Sequence, residues 1–340
     1  VSSPNEHQAF LRQARWLADQ FASHEGVVGV LLTGGAARGH ADRFSELDLA
    51  VYLPRPQFER WVRGGQAPFP EGDSCLNGWH VDIDYLCLED ELEAEWDHVK
   101  RWDRSYAVIL CDPRGVLRDM LARKAVLTED ERQRLMSRHL MLYGTYFCAV
   151  VVPSWLDRGD VLAAHQCLNV ALDSLIRAVF LANGELIPFE KWSLNLSYTL
   201  AWTPSSWRQR VEQVLLVREI SRAEAERRQA VLAALFEECE ERLLGAPVDG
   251  LAPIEARKLP ILRILRERGG MPAAEFDRRF GLRLAVQAPF FQLVQWETRH
   301  GSPWLVFQEA DLQAYAERDF EGFLDWNRAL LRALVEEPER

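Results

Sequence analysis

An apolar, β-branched run over residues 26–32 ends in the diglycine Gly34-Gly35. Ten residues separate Gly35 from Glu46, where a second apolar run opens with two acids at alternate positions, Glu46 and Asp48. Side chains along a strand alternate between faces, so both carboxylates share one face while Leu47 and Leu49 point into the core. Glycines lack a Cβ, so the chain can turn sharply and a phosphate can approach backbone N–H groups that attract anions. A third run, residues 80–86 (HVDIDYL), repeats the alternation with Asp82 and Asp84. An amphipathic helix is predicted over 8–21 and a fourth strand over 106–111. Residues 1–127 are therefore expected to form an α/β domain with a mixed sheet.

Neighbouring carboxylates repel one another and are costly to hold together without a cation. Mg²⁺ takes hard oxygen ligands, usually one or two carboxylates plus substrate phosphates. Two such ions can activate an attacking oxygen and stabilise a leaving one. Asp82 or Asp84 can complete the metal site or take a proton from an acceptor. The competing reading makes Glu46 and Asp48 a solvated strand face, the usual fate of alternating acids. That reading gives the diglycine turn and the second acid pair no common cause.

The order Gly-Gly, loop, acid–apolar–Asp–apolar, then a later strand acid resembles the nucleotidyltransferase fold of the DNA polymerase beta superfamily. The resemblance implies that Gly34 and Gly35 bind the triphosphate, with Arg38 and Ser45 in the same nucleotide-binding set. It also implies that Glu46 and Asp48 are metal ligands and that Asp82 or Asp84 is the third acid. Asp82, the first acid after the apolar entry, is favoured for the metal. The implied cofactor is Mg²⁺, two ions, and the implied substrate is ATP or another nucleoside triphosphate (NTP). A nucleoside monophosphate would pass to an acceptor hydroxyl with release of pyrophosphate. The sequence departs from the family in two places: Gly35 stands where Ser is frequent, and Glu46 stands where Asp is usual. Arg38 can contact a phosphate or equally be a solvated helix residue.

From about residue 128 to 250 nearly every segment has helical period, and an all-α bundle is expected. It is read as closing over the first domain and forming the acceptor and nucleotide cleft. His165, Asn169, Asp173 and Arg177 recur every four residues on a helix that is otherwise apolar. Such a stripe should line a cleft or form a buried network, because unpaired polar groups in a core are costly. The segment from this helix to Lys191 is similar to the C-terminal domain of aminoglycoside (streptomycin/spectinomycin) adenylyltransferases and related bacterial nucleotidyltransferases. That similarity implies that Arg177 and Lys191 reach the triphosphate. Otherwise Asp173 and Arg177 form an ion pair on a solvated face, with Lys191 exposed. Residues 251–340 read as a small C-terminal segment, two short helices (259–268, 272–280) and then a hairpin (290–296, 304–307). This is the order of a winged helix, although its mixed Asp, Glu and Arg favour a structural cap.

The net charge of −11 over 340 residues, with no basic run, disfavours DNA as a partner. A small anionic ligand needs only a few cations in one cleft. The acceptor is left open among an antibiotic-like small molecule, a protein and an RNA end. The six cysteines form no CxxC pair, so reduced, mostly buried thiols and a cytoplasmic location are expected. The most apolar stretch, 140–152, is too short to span a membrane and is read as a buried helix. Two other functions stand beside the transferase. One is a nucleotide-binding or interaction module weakened by Glu46, and the other is a nucleic-acid-binding regulator acting through residues 251–340.

Overall fold

The computed structural model describes residues 6–140, 147–244, 253–323 and 325–336. It separates into two compact units, residues 1–126 with 186–189, and residues 127–185 with 190–340.

In the first unit five strands form one mixed sheet: β1 (Gly29–Leu32), β2 (Leu47–Leu53), β3 (Gly72–Leu76), β4 (Trp79–Cys87) and β5 (Val108–Cys111). Their order is β3-β4-β2-β1-β5; β2 and β4 run parallel and the other neighbours antiparallel. β2 explains the apolar reading of LDLAVYL. Leu47, Leu49, Val51 and Leu53 are buried on one face with Val81, Ile83 and Tyr85 of β4, under Phe10, Ala14, Leu17 and Phe21 of the His7–Ala22 helix. Ala50 and Tyr52 are buried on the opposite face with Trp96, Leu117 and Met120. That second cover stops short of the N-terminal ends of β2 and β4, where the even-numbered positions are Asp48 on β2 and His80, Asp82 and Asp84 on β4. Full burial of each Leu on β2 contributes about 2 kcal/mol, which fixes the strand's register and so aims the acids.

β3 and the helix His98–Ser105 were not anticipated from the sequence. β3 and β4 are joined by Asn77-Gly78, both at positive φ (52° and 81°), the backbone a two-residue hairpin turn needs. Residues 26–28, expected as the start of β1, precede the strand, and residues 106–107 precede β5.

The second unit is helical at first, with one buried cluster running from Leu140 to Leu334. The Thr128 hydroxyl opens it by accepting the Glu131 N–H at 3.3 Å, an N-cap. Val161–Ala182 and Arg222–Leu244 are its longest described helices. Of the stretch 140–152, residues 141–146 lie outside the described residues; Leu140, Cys148 and Val152 are buried. Further on, the helices Pro253–Arg268 and Ala273–Phe280 flank the first strand of a small sheet ordered β6 (Met271–Pro272), β8 (Ser302–Phe307), β7 (Val294–Arg299). The expected first hairpin strand begins later than read, because Phe290–Leu293 is a turn of helix. Among the described residues no helix is long and apolar enough to cross a membrane. All six cysteines are free thiols, four of them buried.

Candidate active site

The diglycine turn is tied to the acidic strand through the backbone. The Thr33 N–H donates to the Asp48 carbonyl at 2.9 Å, and Thr33 Oγ1 donates to the same oxygen at 3.4 Å. Gly34 holds a positive φ of 64°, and a Cβ built on it would overlap the Asp48 carboxylate. Only glycine fits at this point. Gly35 continues a single helical turn, Gly34–Ala37.

Strand register brings the acids together. Asp48 stands opposite Asp82 across the parallel β2–β4 pair, and Asp82 stands opposite Asp73 across β3–β4. Asp84 stands opposite Ala50 and is exposed. The register thus draws Asp82 to Asp48 and leaves Asp84 one step along. Glu46, immediately before β2, lies 3.7 Å from His80 Nδ1, and the other His80 nitrogen lies 3.3 Å from Asp73. Donor atoms of Glu46, Asp73 and His80 all fall within 4.8 Å of one another. His80 and Asp73, the latter not singled out from the sequence, therefore belong to the acidic face.

The electrostatics of this face are those of an uncompensated anionic cluster. Burial, and then the charges of Glu46, Asp103 and Asp82, push the Asp48 carboxyl up to about 7; Arg38 acts in the opposite direction. Asp82 is also raised, first by burial and then by Asp84, Asp73 and Glu46. Carboxyls pushed up by burial and by one another's charge have the environment a divalent cation relieves. The donor atoms that converge are those of Glu46, Asp73 and His80, and Asp48 and Asp82 stand side by side on the neighbouring strands β2 and β4; hard carboxylate oxygens of this kind suit a divalent ion.

Arg38 is not turned to solvent. Its side chain is 5% exposed, it donates to Asp103 Oδ1 at 2.9 Å, and its guanidinium stacks 4.3 Å over Trp102. The same Oδ1 accepts the Gly34 N–H at 3.2 Å, and Asp103 Oδ2 accepts from Arg104 at 2.6 Å. Sequence reasoning missed Asp103, since a lone acid between Trp and Arg carries no motif. Ser45 closes the preceding loop: its Oγ accepts the Asp42 N–H at 3.0 Å.

In the second unit the polar stripe divides. Arg228 donates to His165 Nδ1 and to Asn169 Oδ1, each at 2.6 Å. Arg177 donates to Asp173 at 2.8 Å and to Glu190 at 3.1 Å. Lys191 is exposed on the Glu190–Ser197 helix.

A comparison with curated proteins found no match. Among solved structures, a nucleotidyltransferase-like protein from Exiguobacterium sibiricum is similar, with 16% identity and a TM-score of 0.46 over 88% of this chain and 99% of that one. Residues 14–112, which include β1, β2, β4 and the acids they carry, match the family model of the nucleotidyltransferase domain; the five-stranded mixed sheet is thus a nucleotidyltransferase domain, followed by a helix-rich region.

Proposed function

We propose that the chain is a metal-dependent nucleotidyltransferase that moves a nucleoside monophosphate, AMP from ATP in the first instance, to an acceptor hydroxyl with release of pyrophosphate. The observation that carries this reading is the register of β2 and β4, which sets Asp82 beside Asp48 next to the Gly34 turn. Glu46, Asp48 and Asp82 would hold Mg²⁺, which supplies polarisation of the α-phosphoryl group and charge neutralisation on the leaving pyrophosphate. Asp48, its carboxyl pushed up to about 7 in the metal-free chain, would give up its proton on loading, and Asp82 is raised in the same direction. Asp84, exposed and one step along β4, would take the acceptor's proton. The roles of Arg177 and Lys191 as counter-charges for pyrophosphate remain part of the proposal. Their test is a raised KM for the triphosphate in Arg177→Ala and Lys191→Ala. A polycationic acceptor of the aminoglycoside kind suits the acidic face and the net charge of −11.

The test is pyrophosphate release from each of the four NTPs with Mg²⁺ across a panel of aminoglycosides, proteins and RNA ends. Release that needs Mg²⁺ and disappears in Asp48→Asn supports the transferase. A second reading, a binding module with weakened acids, is favoured by Glu46, whose carboxylate lies against His80. Mg²⁺-dependent ATP binding with no release from any pair would select it, and absence of both would reject the site.

A further inference from the structure

We propose that Asp103 is a positioning residue of the acidic site: its carboxylate clamps the diglycine turn beneath Asp48, with Arg38 as its counter-charge. The proposal rests on reading the acidic face as a divalent-cation site. Asp103 lies on His98–Ser105, far in sequence from the turn, yet one of its oxygens takes both the Gly34 N–H (3.2 Å) and Arg38 (2.9 Å). Its other oxygen takes Arg104 (2.6 Å). The carboxylate therefore joins two segments at one point. Through Gly34, which has no room for a side chain against Asp48, the clamp reaches the metal-binding carboxylate.

The same contacts give Arg38 a different task from the phosphate contact its place in the turn suggested. Its guanidinium is enclosed, stacked on Trp102 and charge-matched by Asp103. Drawing it out to a phosphate would open a part-buried ion pair and leave Asp103 to Arg104 and the Gly34 N–H alone, and opening such a pair is unfavourable. Gly34 likewise spends its N–H on the carboxylate. Arg38, Trp102 and Asp103 together hold the turn.

Coulomb's law supplies a test in which the sign of the effect decides. Deleting Arg38 removes a positive charge near the acids, so on electrostatics alone Mn²⁺ should bind more tightly. If Arg38 instead holds the turn through Asp103, Mn²⁺ should bind more weakly. The full chain and its Arg38→Ala, Asp103→Ala, Asp103→Asn and double Arg38→Ala/Asp103→Ala variants are titrated with Mn²⁺ alone, reading free Mn²⁺ by electron paramagnetic resonance. Amide hydrogen exchange of the peptide containing Gly34 is followed in parallel.

Arg38→Ala and Asp103→Ala should each weaken Mn²⁺ by roughly tenfold and speed exchange at the turn, with the double variant no worse than either. Asp103→Asn, whose amide oxygen still accepts from Gly34 and Arg38, should stay within about threefold of the parent. Asp103→Ala and Asp103→Asn carry the same charge, so a gap between them isolates geometry. The proposal is overturned if Arg38→Ala binds Mn²⁺ as tightly as the parent or tighter, or if the two Asp103 variants behave alike. Should Asp103→Ala fail to fold, Asp103→Asn near the parent with Arg38→Ala weakened upholds it, and the reverse order rejects it. Should the parent bind no Mn²⁺, the cation-site reading fails. The exchange data then decide the clamp separately: faster exchange in Asp103→Ala but not in Asp103→Asn upholds it, and equal rates reject it.

Discussion

Gly34 and Asp48 are packed so closely that a methyl group has no room between them: a Cβ on Gly34 would overlap Oδ2 and Cγ of Asp48, and the residue holds φ at +64°. Gly34→Ala should therefore act twice. The left-handed backbone costs about 1–2 kcal/mol for a residue with a side chain, and displacing the carboxylate adds to this, for a total of about 2–4 kcal/mol. The urea midpoint should fall accordingly, and Mn²⁺ affinity should drop by about tenfold or more. Gly39 is the control. Its φ is +84°, but a Cβ there would meet nothing within 4 Å. Gly39→Ala should cost about 1 kcal/mol and leave Mn²⁺ affinity in place. Unchanged metal binding in Gly34→Ala would show that Asp48 does not depend on the turn.

Asp82 and Asp84 look equivalent along the strand, and pairing separates them. Asp82 faces Asp48 and Asp73 across its two neighbouring strands, while Asp84 faces Ala50 and is exposed. Asp82→Asn should lower Mg²⁺-dependent pyrophosphate release by about 100-fold or more, the scale of losing a residue that acts at the reacting centre. Its Mn²⁺ affinity should fall in parallel. Asp84→Asn should retain Mn²⁺ affinity and show its loss in the rate alone. If the two variants exchanged these profiles, the register would not be what selects the third acid.

These contrasts mark where the sequence was legible. β2 was readable to the residue, because its core face alternates cleanly and its other face is apolar until the acids begin. From that alternation, the shared face of Glu46 and Asp48 followed directly. β3 has only exposed and half-buried residues, so it carries no hydrophobic signal, and the Asn77-Gly78 turn was the one cue to it. Without β3 there was no register to bring Asp73 onto the acidic face. Asp103 was hidden for a different reason: its partners are a backbone N–H and an arginine about 65 residues away. The stripe from His165 to Arg177 was legible as polar, but its partner Arg228 lies on another helix and leaves no trace in local spacing.

The pH dependence of the first unit follows from Asp48. Its carboxyl is pushed up to about 7 in the fold, against an ordinary value of 3.8, so the folded chain holds this proton more tightly than the unfolded chain does. The associated stability is fully present below about pH 4 and is lost as the pH rises through about 7. Above that, Asp48→Asn removes a charge that its neighbours repel. A shift of about three pH units has a ceiling of about 4 kcal/mol, and screening at a half-buried site reduces this to about 1–2 kcal/mol. With a chelator present, the variant should unfold at higher urea than the parent at pH 8 and show no gain at pH 4. Mn²⁺ binding to the parent should release protons and tighten between about pH 6 and 8. A flat Mn²⁺ affinity over that range would place the ion away from Asp48.

The second unit holds a guanidinium in its core, that of Arg228, with no carboxylate on it among the described residues. Arg228 is fully buried and donates to the Val214 carbonyl, His165 Nδ1 and Asn169 Oδ1. All three acceptors are uncharged, since Glu224 on the same helix is taken by Arg227 at 2.7 Å. Burial therefore pulls the Arg228 pKa down, and burial together with Arg228 pulls His165 down, keeping the imidazole neutral with Nδ1 as acceptor. Arg228→Ala would strand two buried acceptors, the Val214 carbonyl and His165 Nδ1, at about 1–3 kcal/mol each, and a loss of about 2–4 kcal/mol is expected after relaxation. Because the folded pKa of His165 lies below its unfolded value, the stability it contributes is present above about pH 6.5 and is lost as the pH falls through the folded value. Arg228→Ala removes the positive neighbour and should flatten that acid slope as well as lower the midpoint. Thermal melts followed by circular dichroism at pH 5 and pH 7.5, for the parent and Arg228→Ala, read both effects. If the variant kept the parent's slope, burial alone and not Arg228 would be holding His165 neutral.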